Sequence, residues 1–346
     1  MAAIALEWPS LGRETGGEGR YARRLCAQLA DHVELAVVTG PEPVPVRGVK
    51  LVPVAVSHTQ RFDRFYRAPF RAADAVRALA PDVVHAHQDD WPFALDPSWK
   101  VPIVRTYYGR KLAEARTSRP LRRANHYVLA GLEAACRRHY RSAVGIGPDS
   151  VDAFRCDHLI PPVFLAGHRP PSPAKASEPL GVFVGAFETR KRGCLALSAA
   201  AQARQVLPDL RFAVVGPARD RLRYPPWVEF HVTPDEDDDV QALIGEAWVL
   251  LAPSAYEGFG IPAWEAMMAG TAVVATANPG IEYLTAGTGC CSVVEPEHLG
   301  DALVHLVESA PAREAQVGRA RARALEVAEL GRPERYVSLF RSVATR

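Results

Sequence analysis

The densest chemistry in this sequence lies in Pro253-Ser254-Ala255-Tyr256-Glu257-Gly258-Phe259-Gly260-Ile261-Pro262-Ala263-Trp264-Glu265-Ala266. An apolar run, Trp248–Ala252, reads as a strand that stops at Pro253. The glycine-spaced loop after it opens a new helix, with Pro262 suited to the first turn. Such a loop offers backbone N–H groups at a helix N-terminus, where anions such as a diphosphate bind. Glu257 stands in the loop and Glu265 about one turn into the helix. A carboxylate accepts two hydrogen bonds from a vicinal diol, so either can hold ribose or sugar hydroxyls. The same spacing also suits a plain strand-to-helix turn with two solvated glutamates, and spacing alone does not choose.

Continued through Met267 and Gly270-Thr271-Ala272-Val273-Val274-Ala275, the block resembles the E-x7-E segment of retaining GT-B glycosyltransferases of family 4. The resemblance implies that Glu265 binds the nucleotide ribose and that Glu257 faces hydroxyls of the transferred sugar. It also implies that Gly258, Phe259 and Gly260 approach the donor. Phe183-Val184-Gly185-Ala186-Phe187-Glu188-Thr189-Arg190-Lys191 resembles the family's donor-diphosphate segment, in which a strand ends in glycine, here Gly185. Fixed cations there stabilise the charge that a leaving nucleoside diphosphate gains, without a metal. Many members place an arginine directly after that glycine. Ala186 holds the position here, so the duty falls to Arg190 with Lys191, and Arg192 is an outside candidate.

Near the start, Thr15-Gly16-Gly17-Glu18-Gly19 resembles the family's Gly-Gly loop, with Gly16 and Gly17 free to approach the donor closely. Pro81-Asp82-Val83-Val84-His85-Ala86-His87 resembles a family strand whose end carries a catalytic-site histidine, His87, toward the interdomain cleft. Two segments depart from the pattern. Thr106-Tyr107-Tyr108-Gly109 stands where Thr-x-His is usual, so a phenol replaces an imidazole. Ile160-Pro161-Pro162 stands where Ile-Pro-Asn-Gly is usual. Both changes touch the acceptor side, for which Tyr108 and Arg110 are the candidates.

The resemblance implies an α/β chain of GT-B architecture, two Rossmann-like doubly wound domains facing across an interdomain cleft. It implies a metal-independent hexosyl- or related transferase that uses a UDP- or GDP-type sugar and needs no further cofactor. The acceptor is a hydroxyl on a small molecule or glycan, in natural-product or surface-glycan biosynthesis. One alternative is another GT-B enzyme, an inverting transferase with His87 or Asp89 as base or a sugar-nucleotide epimerase. A non-catalytic nucleotide-sugar binding protein is the other.

These residues need elements to hold them. Short β-type runs alternate with helical lengths along the whole chain, which indicates parallel sheets with crossover helices. The strands expected are 2–6, 33–39, 49–54, 82–86, 102–106 and 142–146, then 181–185, 211–216, 228–231, 248–252, 272–275 and 289–294. Helices are expected at 18–30, 68–79, 122–140, 191–206, 235–247, 262–269 and 296–308. Six of the thirteen residues from Pro161 to Pro173 are Pro or Gly, so no regular element runs through them. The expected division is an acceptor-side domain at 1–162, a Pro-rich linker at 163–179, a donor domain at 180–331 and a terminal helix at 332–346 whose docking place is open.

Length and composition agree with this. Two cores fit 346 residues, and 48% hydrophobic with 23% charged residues excludes wholesale disorder. Residues 1–165 carry 23 Lys/Arg against 17 Asp/Glu, whereas 166–346 carry 18 against 22, so separate domains with separate partners are expected. The longest apolar run, Ala247 to Pro253, is far short of a membrane span, and Met1–Leu6 is too short for a signal core, which favours the cytoplasm. Six cysteines without ligand spacing argue against a disulfide framework or a zinc site. Asp235-Glu236-Asp237-Asp238-Asp239 has D-x-D spacings but also opens a helix, where acidic residues meet the dipole favourably. Between Arg61 and Arg71 four arginines alternate with Phe62, Phe65, Tyr66 and Phe70. That pattern fits either a solvent face with inward aromatics or weak peripheral contact with an anionic membrane. No nucleic-acid recognition module is visible.

Overall fold

The computed structural model describes residues 3–8, 17–57, 62–116, 120–162, 174–233 and 237–345. The chain forms two compact units, one of residues 1–112, 124–166 and 330–346, the other of residues 113–123 and 167–329.

Through the first half run β1 (Ala3–Trp8), α1 (Gly17–Leu29), β2 (Glu34–Thr39), β3 (Val49–Pro53), α2 (Ala68–Leu79), β4 (Val83–Ala86) and α3 (Trp91–Ala94). There follow β5 (Ile103–Tyr107), α4 (Lys111–Arg116), α5 (Pro120–Cys136), β6 (Ser142–Gly145), α6 (Pro148–Phe154) and β7 (His158–Leu159). The seven strands form one parallel sheet in the order β3-β2-β1-β4-β5-β6-β7. Alternate residues of each strand enter opposite cores, as the period of two requires. Val83, Val104 and Val144 pack with Leu25 and Leu29 of α1, while Val84, Ile103 and Ala143 pack with Ala72, Ala73 and Val76 of α2.

The second half holds β8 (Leu180–Val184), α7 (Gly193–Val206), β9 (Arg211–Gly216), β10 (Val228–Val232), α8 (Asp237–Glu246), β11 (Val249–Ala252) and α9 (Ile261–Met268). Then come β12 (Ala272–Ala275), α10 (Pro279–Thr285), β13 (Ser292–Val293), α11 (Leu299–Glu308), α12 (Ala310–Leu330) and α13 (Pro333–Ala344). Its six strands are also all parallel, in the order β10-β9-β8-β11-β12-β13. Phe183, Phe212, Val214, Val249 and Leu251 bury against the alanine face of α7 and the leucines of α11. Both sheets have doubly wound order, so each has a switch point where consecutive crossovers leave in opposite directions. In the second unit that point lies between β8 and β11. The last helix, α13, belongs to the first unit, where Tyr336, Val337, Leu339, Phe340 and Val343 join the core with Tyr21 and Leu25.

Several expected boundaries move. The expected helix at 191–206 starts at Gly193, because Arg192 is held in the left-handed region at φ 51° and leaves the cations in the preceding turn. The expected strand at 289–294 shrinks to Ser292–Val293, since Gly289 has φ 66°. Six of the elements named above lie outside the expected set: α3, α4, α6, β7, α10 and α12. No helix of the described residues is long and apolar enough to cross a membrane.

Candidate active site

Two loops at the switch point of the second sheet build the site, one after β8 and one after β11. Gly185 directly follows β8, and a Cβ there would lie 2.8 Å from Cβ and 2.9 Å from Cγ of Lys191. Only glycine lets the chain fold back so that Lys191 lies over the strand end. The returning turn is held from outside: Asp220, itself buried, accepts from Phe187 N at 2.9 Å. Ala255 N donates to Arg190 O at 2.8 Å, which ties the two loops together.

The cations and the loop carboxylate then meet. Glu257 is 7% exposed, with Oε2 2.6 Å from Arg190 Nη1 and Oε1 2.7 Å from Lys191 Nζ. Arg190 also donates to the Tyr256 carbonyl at 3.1 Å. Burial alone would raise the Glu257 carboxyl, but Lys191, Arg190 and the Ser254 hydroxyl outweigh it and hold the group down at about 2. The carboxylate is therefore charged throughout the neutral range. A clasp of one anion between two cations, just beyond the C-terminal ends of β8 and β11, can exchange its anion for a phosphate oxygen.

Glu265 lies half-buried on α9, with Gln241 Nε2 of α8 at 3.5 Å from its Oε1. Gly260 starts that helix at φ 91°, a left-handed position that suits glycine. Gly258 is buried in the loop, and the ring of Phe259, 1% exposed, is in the core, so only the backbone of Phe259 can face a ligand. The cavity at this place is lined by Val184, Lys191, Ser254, Glu257, Gly260 and Pro262 among others.

Supports outside the predicted motifs come from the loop after β12. Arg192 does not point to solvent. Its Nε donates to the Pro253 carbonyl and its Nη2 to Thr276 Oγ1 at 2.7 Å. Asn278 donates to the Ser254 carbonyl at 3.1 Å and caps α10 by accepting from Ile281 N. A Cβ on Gly280 would come within 2.6 Å of the Phe259 carbonyl carbon, so this glycine fixes how close α10 sits. The Asn278-Pro279 pair is a cap signal that makes α10 legible in the sequence after all.

In the first unit, His87 follows β4 and is buried, and its Nδ1 is 2.5 Å from Tyr108 Oη after β5. Burial, with His85 and Arg105 nearby, drives the His87 imidazole well below its ordinary range, so it is neutral. Arg110 pairs with Asp149 of α6 at 3.1 Å. Gly17 opens α1, and Gly16 lies outside the described residues, as do Asp235 and Glu236 of the acidic run. Among the described residues no group of three or more His, Cys, Asp or Glu is arranged to hold a metal ion. Cys290 and Cys291 are buried. In the arginine-aromatic stretch, Phe62 and Phe70 are exposed while Phe65 and Tyr66 are half-buried, and Asp63 pairs with Arg71 at 2.7 Å. Its aromatics are therefore not all turned inward.

Comparison with known proteins gives concordant matches. Residues 15–162 match the family profile described as Glycosyltransferase Family 4, and residues 178–309 that of Glycosyl transferases group 1. A D-inositol 3-phosphate glycosyltransferase of Pseudarthrobacter chlorophenolicus is 26% identical over 92% of this chain and 87% of its own. Among solved structures, sucrose-phosphate synthase from Thermosynechococcus elongatus superposes with a TM-score of 0.81 at 17% identity, covering 99% of each chain. Anabaena Alr3699/HepE, solved with UDP and glucose, superposes at 0.72 with 16% identity over 99% of this chain and 100% of its own. At these identities the structures bear on the fold alone.

Proposed function

We propose that this chain is a glycosyltransferase of the GT-B type, which transfers a sugar from a UDP- or GDP-type donor to an acceptor hydroxyl with retention of configuration. The observation that supports this most is the clasp of Glu257 between Arg190 and Lys191 at the switch point of the second sheet. The donor diphosphate takes the two cations, Glu257 turns to the sugar hydroxyls, and Glu265 holds the ribose. Gly185, Gly258, Gly260 and the Phe259 backbone line its path.

Charge moves onto the diphosphate as the glycosidic bond breaks, and the fixed cations are worth most at that moment. A β-phosphate oxygen on the same face takes the acceptor proton, so the rate comes from positioning and electrostatics and needs no metal. The first unit serves the acceptor with His87, Tyr108 and Arg110. The acceptor is a small hydroxylated molecule or glycan, and the D-inositol 3-phosphate transferase among the relatives names a compound to try first. Exposed Phe62 and Phe70 beside exposed Arg64 and Arg67 favour weak peripheral contact with an anionic membrane.

The test is a panel of UDP- and GDP-sugars offered with D-inositol 3-phosphate and other polyols. Anomeric coupling constants in the product, read by NMR, should show retention. An inverted product would favour a general-base mechanism. Binding of nucleotide sugar with neither transfer nor slow hydrolysis would favour a binding protein.

A further inference from the structure

Six side chains of the first unit close a ring that includes the terminal helix. Tyr336 of α13 is fully buried, and its hydroxyl is 3.1 Å from Tyr21 Oη on α1 and 3.4 Å from Thr106 Oγ1 on β5. Thr106 Oγ1 is 2.8 Å from His85 Nε2 on β4. The His85 ring lies 4.0 Å from that of His87, centroid to centroid, and His87 Nδ1 bonds Tyr108 Oη. Tyr108 returns edge-on to Tyr21 at 5.5 Å. His85 and Thr106 lie on the neighbouring parallel strands β4 and β5, and His87 and Tyr108 stand two positions on, just past the strand ends, so all four keep to the side of the sheet that α1 and α13 cover.

The protons in this ring are constrained by burial. His87 Nδ1 and Tyr108 Oη share one proton, and which of them donates depends on the imidazole tautomer. In either case the phenol oxygen keeps a lone pair for a hydroxyl that donates to it. His85 Nδ1 is buried with no hydrogen-bond partner. A bare lone pair is tolerated better there than a bare N–H, which puts the proton on Nε2, donating to Thr106. Thr106 then pairs with Tyr336, and Tyr336 with Tyr21, each pair sharing a hydroxyl proton that either oxygen can donate.

We propose that Tyr336 is a positioning residue for the His87–Tyr108 pair: its hydroxyl fixes Thr106 and Tyr21, and through His85 and the Tyr21 ring fixes where the Tyr108 phenol meets an acceptor hydroxyl. This rests on the assignment of His87 and Tyr108 to the acceptor side. The last helix thereby shapes acceptor recognition, although it contains none of the family's motif residues.

The experiment compares Tyr336→Phe and Thr106→Val with Thr106→Ser, which restores the oxygen, and with Phe340→Leu, which loosens the same helix without touching a hydroxyl. Imidazole ¹⁵N shifts of His85 and His87 are recorded in the substrate-free protein, and KM values are measured with D-inositol 3-phosphate. Tyr336→Phe and Thr106→Val should shift both histidines and raise acceptor KM about fivefold, the size of one neutral hydrogen bond, with donor KM unchanged. Thr106→Ser should restore both readouts, and Phe340→Leu, which removes a ring packed against His85, should lower the melting temperature while leaving acceptor KM unchanged. Unshifted histidines with unchanged acceptor KM in Tyr336→Phe would overturn the proposal. So would a Phe340→Leu effect on KM equal to that of Tyr336→Phe, since packing alone would then explain it. A wild-type protein that transfers no sugar to any acceptor would sink the transferase assignment, and the ¹⁵N shifts would still decide whether the ring is coupled.

Discussion

Glu257 and Lys191 form an ion pair of 2.7 Å although 66 residues separate them, and Arg190 holds the other oxygen of the same carboxylate at 2.6 Å. The cations assigned to the donor diphosphate are thus already occupied by the carboxylate assigned to the donor sugar. Binding the diphosphate means displacing Glu257 from at least one of them. Losing one charge-assisted bond and gaining another nearly cancels, so the net affinity depends on how firmly Glu257 competes.

Glu257→Gln should therefore bind UDP or GDP more tightly than the wild type, by about tenfold in titration calorimetry, the effect of weakening one charged hydrogen bond. Its turnover should fall, because the sugar contact is lost. Glu265→Gln should instead weaken nucleotide binding, through the ribose. If both variants bind nucleotide alike, the two glutamates do not have separate partners.

Lys191→Ala and Arg190→Ala should each lower kcat by about 10²–10³, the cost of removing one preorganised stabiliser of developing charge. Arg192→Ala should act on folding, since its guanidinium joins the Pro253 carbonyl to Thr276. A stability loss of about 1–3 kcal/mol in urea titration is expected from leaving those buried acceptors unpaired. A raised donor KM with kcat intact in Lys191→Ala would reduce that residue to a binding role.

Activity should survive excess EDTA, because Arg190 and Lys191 supply the positive charge. Complete loss with rescue by Mg²⁺ or Mn²⁺ would place a cation at the diphosphate and return attention to Asp235–Asp239.

Stability should fall as pH drops below about 6.5. Burial holds His85 neutral down to about 3 and drives His87 well below its ordinary value, whereas the unfolded chain takes up a proton on each. Both shifts are downward, so their stabilising contribution is complete above 6.5 and is lost as pH falls toward the folded values. Each histidine adds up to about 1.4 kcal/mol per pH unit to the slope. Asp89, raised by burial to about 6, opposes this between 6 and its ordinary 3.8, because the folded state binds that proton more readily. Urea midpoints at pH 7 and 5 for the wild type and His85→Gln test the sign: the variant should show the shallower fall.

Phe62→Ser with Phe70→Ser should reduce co-sedimentation with phosphatidylserine vesicles while leaving turnover of a water-soluble acceptor unchanged. Binding of wild type and double variant to the same extent would remove these rings from any membrane contact. Their exposures of 63% and 51% make the substitutions tolerable for folding.

By itself the sequence determined the doubly wound plan. Runs such as Val83-Val84 and Val249-Leu250-Leu251, punctuated by Gly and Pro, can be satisfied only by strands buried on both faces. It also determined the Glu257–Glu265 block, because a glycine loop between a strand and a helix is a local arrangement. Elements with weak local signal stayed hidden. The strand β7 has two residues, and α12 buries only a polar glutamine, three alanines and a valine along 21 residues, so neither has a clear apolar face.

Pairings across the chain were decided by tertiary structure alone. Arg190 and Lys191 reach Glu257 because β8 and β11 are neighbours at the switch point, and strand order is a property of the whole sheet. Arg192, a basic residue like its two predecessors, turns away to brace the loop because its backbone is left-handed. Tyr336 meets Thr106 across 230 positions, since α13 buries its apolar stripe on α1 and the first sheet. An amphipathic helix carries its own periodicity in sequence, but the surface that covers it exists only once the chain has folded.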